Sequence, residues 1–181
     1  MVTGAQAGIW GSDKLLPWPD PAVPAQSRSV MHPVFKSVEL GAFKIKFEKT
    51  TLPDIITAIG SGEIKHQGDA AASYYWICYR FNEAGGVGQL GIFVNAEMGG
   101  GAVTDVMFRT QKIEPDENCP FLPRKFTPII TDTGLGLSSS YADFVKQLGT
   151  PGGQAQGKYS WIFDRESHSQ GSPQGCSVLL T

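Results

Sequence analysis

Hydrophobic and polar residues alternate along several short stretches of the chain, which is the pattern of half-buried strands. Phe43-Lys44-Ile45-Lys46-Phe47 alternates strictly and predicts one such strand. Residues 73–81, 88–98 and 102–111 predict three more, and the glycine-rich connections between them suit hairpin turns. We expect these successive strands to form an antiparallel meander. Shorter strands are predicted over 127–131, 158–164 and 176–181.

Two stretches have helical periodicity and recognisable end signals. Between Thr51 and Gly60 the apolar residues fall on one stripe, Thr51 is a suitable N-cap, and Asp54 stands at the capping-box position. Gly60 can end this helix in the left-handed conformation. A second helix is predicted over 139–148, with a serine cap and a Gly149-Thr150-Pro151 stop.

The most informative feature is an internal repeat. Residues 54–60 align without gaps on 143–149, and residues 74–77 align on 159–162. Each unit has the order capped helix, glycine stop, polar loop and aromatic strand. The alignment predicts a tandem duplication, with units at about 43–111 and 127–181.

These elements predict an α+β fold. We expect an antiparallel sheet of about six strands, with two short helices on one face, built from the two tandem helix-strand units. Residues 35–181 would form this single domain. Residues 1–34 are rich in proline, which removes backbone donors and restricts φ, so they predict an irregular arm that packs on the domain through its tryptophans.

The repeat resembles the SmpA/BamE-like superfamily and the beta-lactamase inhibitory proteins, whose tandem units have a similar form. The matching residues of the second unit are Phe144, Val145, Leu148, Gly149, Thr150 and Pro151, followed by Tyr159 and Trp161. Those of the first unit are Ile55, Ile56, Ile59 and Gly60, followed by Tyr74 and Trp76, without the proline. The resemblance implies a protein that binds other proteins, as an envelope assembly factor or an enzyme inhibitor. It transfers no functional residue.

Composition narrows the choice of partner. The chain has 181 residues, a net charge of −2 and 18% charged residues, which argues against a nucleic-acid binder. No apolar run approaches the roughly 20 residues of a membrane span. The first ten residues lack a signal-peptide pattern, so we expect either a cytoplasmic protein or a mature chain without its leader. Low charge and aromatic strands favour the periplasm or the secreted space.

The three cysteines leave the redox state open. Cys78 lies in an aromatic strand and is interpreted as a buried apolar filler. Cys119 and Cys176 lie in a proline-flanked loop and near the C-terminus, where a disulfide between them would need an oxidising compartment. None of the three forms a C-x-x-C pair.

No motif in the chain supports catalysis, a metal or a cofactor. The G-x-S-x-G and P-loop patterns are absent, and one G-x-G-x-x-G match beginning at Gly86 leads into a strand. His66 and Asp69 could supply a general base beside a serine, so a small hydrolase is the alternative function. A solvated polar pair in a loop is the simpler interpretation.

Strand alternation predicts one open sheet face. If Trp76 and its neighbours pack on the helices, the opposite face keeps an aromatic and polar set that is typical of protein interfaces. The predicted partner-binding residues are Tyr75, Tyr79, Phe93, Asn95, Glu97, Met107 and Arg109. The N-terminal arm or a homodimer contact could instead cover this face. We therefore predict a non-enzymatic protein-binding module, such as an inhibitor or an immunity protein, of the bacterial envelope or secreted space.

Overall fold

The fold is α+β, with two helices and eleven strands in the described part of the chain. The computed structural model describes residues 27–30, 34–67, 73–83, 86–95, 101–109, 119–155, 158–165 and 175–180. The helices are α1 (Leu52–Ile59) and α2 (Tyr141–Leu148), and Arg124–Phe126 forms a single 3-10 turn. The strands are β1 (Ser27–Val30), β2 (Ser37–Leu40), β3 (Phe43–Lys46), β4 (Lys65–Gln67), β5 (Tyr74–Glu83), β6 (Gly86–Asn95), β7 (Asp105–Arg109), β8 (Ile129–Thr131), β9 (Gly153–Ala155), β10 (Lys158–Arg165) and β11 (Gly175–Leu180).

The described strands belong to three sheets, which differs from the predicted sheet of about six strands. One sheet has the order β4-β5-β6-β7, one has the order β3-β2-β8, and in the third β10 pairs with β1, β9 and β11. Alternation identifies strands but not their hydrogen-bonded neighbours, so it could not show which strands belong to the same sheet. The chain separates into two compact units: unit 1 holds the described residues of 37–130, and unit 2 holds those of 18–36 and 131–181.

The predicted helix signals are confirmed in both units. Thr51 and Asp54 form a reciprocal capping box, in which the Thr51 amide donates to Asp54 Oδ2 at 3.0 Å and the Asp54 amide to Thr51 Oγ1 at 3.3 Å. Ser140 and Asp143 repeat this arrangement at 2.8 and 3.3 Å. Because these bonds favour the ionised carboxylates, the pKa values of both aspartates are lowered. Helix α1 ends at Gly60 in the left-handed conformation, with φ of 85°.

In unit 1, strands β5, β6 and β7 form the antiparallel meander that the sequence predicted, and β4 adds one further antiparallel strand beside β5. Ile77, Tyr79 and Phe81 alternate along β5 and are fully buried. The Tyr79 hydroxyl donates to the Ser61 carbonyl oxygen at 2.7 Å, just after α1 ends. A Cβ at Gly62, where φ is 128°, would lie 2.6 Å from that hydroxyl oxygen. Glycine is therefore needed where the α1–β4 loop passes over Tyr79.

Unit 2 is organised around β10. Strand β11 pairs antiparallel with it over Tyr159–Asp164, while β9 pairs antiparallel with residues 158–160. Strand β1 pairs in parallel with residues 162–165. The irregular, extended arm predicted over residues 1–34 therefore contains one regular strand, Ser27–Val30, which lies between Pro24 and Pro33 and has no proline of its own. The rest of that arm before Val34 lies outside the described residues.

The two units repeat the same order of pairings. In unit 1, Trp76 is opposite Phe93, and in unit 2 the residues 85 positions further on, Trp161 and Val178, are opposite each other. The short strand before each long pair also matches, because Gln67 is opposite Tyr74 and Gln154 is opposite Tyr159. Each unit thus contains, in this order, a helix, a short strand and a long antiparallel pair.

Tyr79 should be a core residue in stability measurements. We expect Tyr79→Ala to lower the free energy of unfolding by about 3–5 kcal/mol, because it leaves a cavity. Tyr79→Phe should cost about 1 kcal/mol, since only the hydrogen bond to Ser61 is lost. Tyr75→Ala, on the same strand but exposed, is the control and should cost less than about 0.5 kcal/mol. Urea unfolding measures all three, and equal effects of the two alanine variants would contradict this assignment.

The Tyr79 hydroxyl should also make the stability of the fold decrease at alkaline pH. Burial raises the pKa of Tyr79 to about 12, from an ordinary value of 10.0. Because the folded protein holds this proton more tightly, the resulting stability is fully present below about pH 10 and is lost as the pH rises towards 12. Tyr79→Phe should flatten the decline of stability between those pH values.

Candidate functional site

The cross-strand register distributes the predicted partner-binding residues over both faces of the unit 1 sheet. Tyr75 and Tyr79 are opposite Val94 and Leu90, whereas Phe93 is opposite Trp76. Met107 is aligned with Gly91, two positions before Phe93 on β6. The prediction of a single open face is therefore wrong. The pattern of alternation along one strand leaves its alignment with the next strand undetermined, and a shift of one residue exchanges the faces.

Burial separates the predicted residues further. Tyr79 and Phe93 are buried at 0% and 2% exposure, while Tyr75 is exposed at 38%. Met107 is partly buried against a cluster formed by Trp76, Cys78, Phe93 and Cys119. Asn95 and Arg109 end strands β6 and β7, but their side chains lie outside the described residues, as does all of Glu97. Among the predicted residues whose side chains the structure describes, Tyr75 is the one whose exposure suits a contact with a partner.

Tyr75 belongs to a small surface that we name the edge patch, consisting of Ile64, His66 and Tyr75. The His66 ring stacks on Tyr75 with centroids 4.6 Å apart and an interplanar angle of 26°. His66 is exposed, and Ile64, two residues earlier, is 42% exposed. His66 belongs to β4, and Ile64 directly precedes that strand, which lies at one edge of the sheet. Sequence reasoning missed β4 because it lies within the polar loop that is predicted between the first helix and its aromatic strand.

The same histidine bears on the hydrolase alternative. His66 Nε2 lies 3.2 Å from Ser73 Oγ, so an imidazole and a hydroxyl are within hydrogen-bonding distance. Ser73, however, is only 4% exposed. A nucleophile must reach its substrate, and this residue is enclosed. Asp69, the predicted carboxylate partner, lies outside the described residues.

The opposite face of the sheet carries a disulfide between Cys78 and Cys119. Both interpretations of the cysteines are corrected by it: Cys78 is buried but bonded, and Cys119 pairs with Cys78 and not with Cys176. The two cysteines are 41 residues apart, and nothing in their spacing indicates the pairing. Only folding brings Cys119 to the strand that contains Cys78.

Residues 119–122, which we name the locked segment, run beside β5. Arg80 donates its amide to the Pro120 carbonyl at 2.8 Å and accepts a hydrogen bond from the Leu122 amide at 2.6 Å. Its side-chain Nε donates to the Cys119 carbonyl at 2.6 Å, and its guanidinium lies 4.4 Å from the Phe121 ring centroid. Arg80 therefore holds this segment through backbone, side-chain and cation–π contacts.

Asp105, opposite Phe93 on β7, is a partly buried acid on this face. Burial raises the pKa of its carboxyl, and a hydrogen bond from the Thr104 hydroxyl at 2.7 Å opposes that rise. The bond satisfies one carboxylate oxygen next to the apolar cluster. We find no second acid aligned with Asp105 in the described register of β6 and β7.

No protein-family model, curated protein or solved structure matches this chain. The resemblance to the SmpA/BamE-like superfamily and the beta-lactamase inhibitory proteins thus stays a prediction. Within the described ranges, no three His, Cys, Asp or Glu residues are grouped so that they could hold a metal ion. No helix in that same part of the chain is long and apolar enough to cross a membrane.

The disulfide should contribute strongly to stability. We expect the double variant Cys78→Ala/Cys119→Ala to lower the free energy of unfolding by about 4 kcal/mol, since the bond closes a long loop in the unfolded chain. Cys176→Ala is the control, and reducing agent should destabilise it as much as the parent chain. Melting curves with and without reductant test this. A reductant effect that persists in the double variant would contradict the pairing.

Proposed function

We propose that the chain is a non-enzymatic protein-binding module of the bacterial envelope or secreted space, such as an inhibitor or an immunity protein. The observation that carries the proposal is the exposed stack of His66 and Tyr75. Aromatic side chains are enriched among the residues that anchor protein interfaces, and a stacked pair is already partly ordered before binding. Ile64 extends the apolar area of the edge patch.

The Cys78–Cys119 disulfide supports the proposed compartment. Both sulfur atoms belong to buried residues, and the bond attaches the locked segment to the central strand of unit 1. Structural disulfides persist mainly in the periplasm, at the cell surface and in secreted proteins. An exported chain is consistent with a role at the envelope or outside the cell.

The paired architecture supports a tandem duplication as the origin of the two units. Both helices use the same threonine or serine to aspartate capping box, 89 residues apart. Both long strand pairs have the same register at an offset of 85 residues. Helix capping signals alone recur by chance. A shared order of helix, short strand and long pair, with the same register, is stronger support for a duplication. Two related units are also the form of the binding families that the sequence resembles.

Truncating the edge patch should weaken partner binding without unfolding the chain. With the tagged full-length chain as bait in an extract of its native cells, the specific partner is the protein whose recovery falls with Tyr75→Ala. We expect a loss of roughly 1–3 kcal/mol, as for interface anchors. Tyr141→Ala is the matched control, because Tyr141 is 42% exposed but belongs to α2. A partner lost equally with both variants would contradict the edge patch.

The hydrolase alternative is favoured by the His66–Ser73 contact and has its own test. If Ser73 were an activated nucleophile, a fluorophosphonate probe would label it in the native chain, and His66→Ala would abolish the labelling. We expect no labelling, because the Ser73 hydroxyl is enclosed. Mass spectrometry of the probe-treated chain gives the answer. Labelling that depends on both His66 and Ser73 would replace the binding proposal with a catalytic one.

A further inference from the structure

In both units an extended segment lies along the corresponding edge of the central strand, which is β5 in unit 1 and β10 in unit 2. Strand β6 pairs with the whole length of β5, so β4 and the locked segment share the other edge of β5. In unit 2, β11 covers one edge of β10, while β9 and β1 share the other. Phe121 is bridged in parallel to Arg80, and Val30 is paired in parallel with Arg165, which lies 85 residues after Arg80. We call this edge the outer edge of the central strand: in each unit one stretch of it pairs antiparallel with a short strand, and the next stretch accepts a segment in parallel.

The two acceptor sites are closed by segments that are attached in different ways. The locked segment is attached by a disulfide and by three hydrogen bonds with Arg80. Strand β1 has only four residues, contains no cysteine, and has β10 as its strand partner in the described sheets. More than a hundred residues of chain separate β1 from β10, so the two strands are not joined by a hairpin. Its sequence, Ser-Arg-Ser-Val, holds one β-branched residue, and serine is a weak strand former.

We propose that β1 is an exchangeable plug, and that the outer edge of β10 over residues 162–165 binds an extended segment of a partner protein in its place. Strand addition of this kind takes affinity from main-chain hydrogen bonds and specificity from alternate side chains. The register places Ser27 opposite Ile162 and Ser29 opposite Asp164. A partner segment with β-branched residues at those two places forms a better strand than β1 does.

The competing occupant, β1 of a second copy, is disfavoured by mass action. A tethered β1 competes at an effective concentration of the order of millimolar, so an identical strand from another chain gains nothing by replacing it. Only a segment that pairs better than Ser27–Val30 displaces the plug. The proposed site shares no residue with the edge patch, so the failure of either proposal leaves the other standing.

The first test measures hydrogen exchange in the unmodified full chain. Those amides of residues 27–30 that face β10 should exchange at least 100-fold faster than those of Arg80 and Leu122, whose hydrogen bonds hold the locked segment. This comparison needs no variant and no ligand. Equal protection at the two sites would show that β1 is not exchangeable and would overturn the proposal.

The second test measures binding of a probe peptide. The probe is a fluorescent peptide of residues 25–32 that carries Ser27→Val and Ser29→Val. It should bind the full-length variant Arg28→Pro/Ser29→Pro at least tenfold more tightly than the parent chain, because the plug no longer competes. Successive strand amides alternate in direction, so two adjacent prolines remove whichever amide faces β10. The same peptide with proline at both positions is the control and should not bind.

Three outcomes of the second test would overturn the proposal. The first is equal binding of the probe to the parent chain and the plug variant, provided that circular dichroism and melting show both to be folded. The second is the absence of binding to either. The third is a concentration-dependent dimer of the parent chain that the plug variant cannot form, because it would make a second copy the occupant. If the plug variant does not fold, the hydrogen-exchange comparison decides alone.

Discussion

The pairing of β5 with β6 is the constraint on which the rest of unit 1 depends. It continues without a break over ten residue pairs, from Tyr74 with Asn95 to Glu83 with Gly86. This register sends Tyr79 to the face that meets the end of α1, and Trp76 and Cys78 to the other. A slip of one residue would exchange these faces, separating Tyr79 from Ser61 and Cys78 from Cys119. The helix contact and the disulfide are therefore two independent reasons why one register is stable.

Both faces of this sheet are buried, which explains how so short a helix can be part of a stable unit. A helix of eight residues is marginal by itself, so α1 depends on its capping box and on packing through Leu52, Ile55 and Ile59. The disulfide face adds a second apolar cluster beneath the locked segment. Tyr75 and His66 are among the described side chains of this sheet that remain exposed, and the proposed contact with a partner rests on them.

Because the two units share the same order of pairings, the points at which they differ are informative. In unit 1, a disulfide and an arginine hold the segment that covers the outer edge of the central strand. In unit 2, the four residues of β1 cover the corresponding edge. An unpaired edge invites association with other strands, so each unit needs some cover there. A permanent cover and a removable one suit different roles, one structural and one for recognition.

The sequence by itself determined the local elements, because their signals are local. Capping residues and apolar periodicity placed α1 and α2, and alternation placed β3, β5, β6 and β10, to within a few residues. A repeat was also predicted, since that comparison needs only the chain itself. Tyr75 was identified as a surface aromatic, but the stack with His66 was not, because β4 has only three residues and lies in a polar stretch.

Only the tertiary structure decided which elements meet. Cross-strand register, the partner of Cys119, and the pairing of β1 with β10 all join residues that are distant along the chain. Such contacts depend on the total free energy of packing, to which no single short stretch contributes a distinctive pattern. For the same reason Tyr79 and Phe93 are core residues here, although alternation along their own strands is equally compatible with an open face.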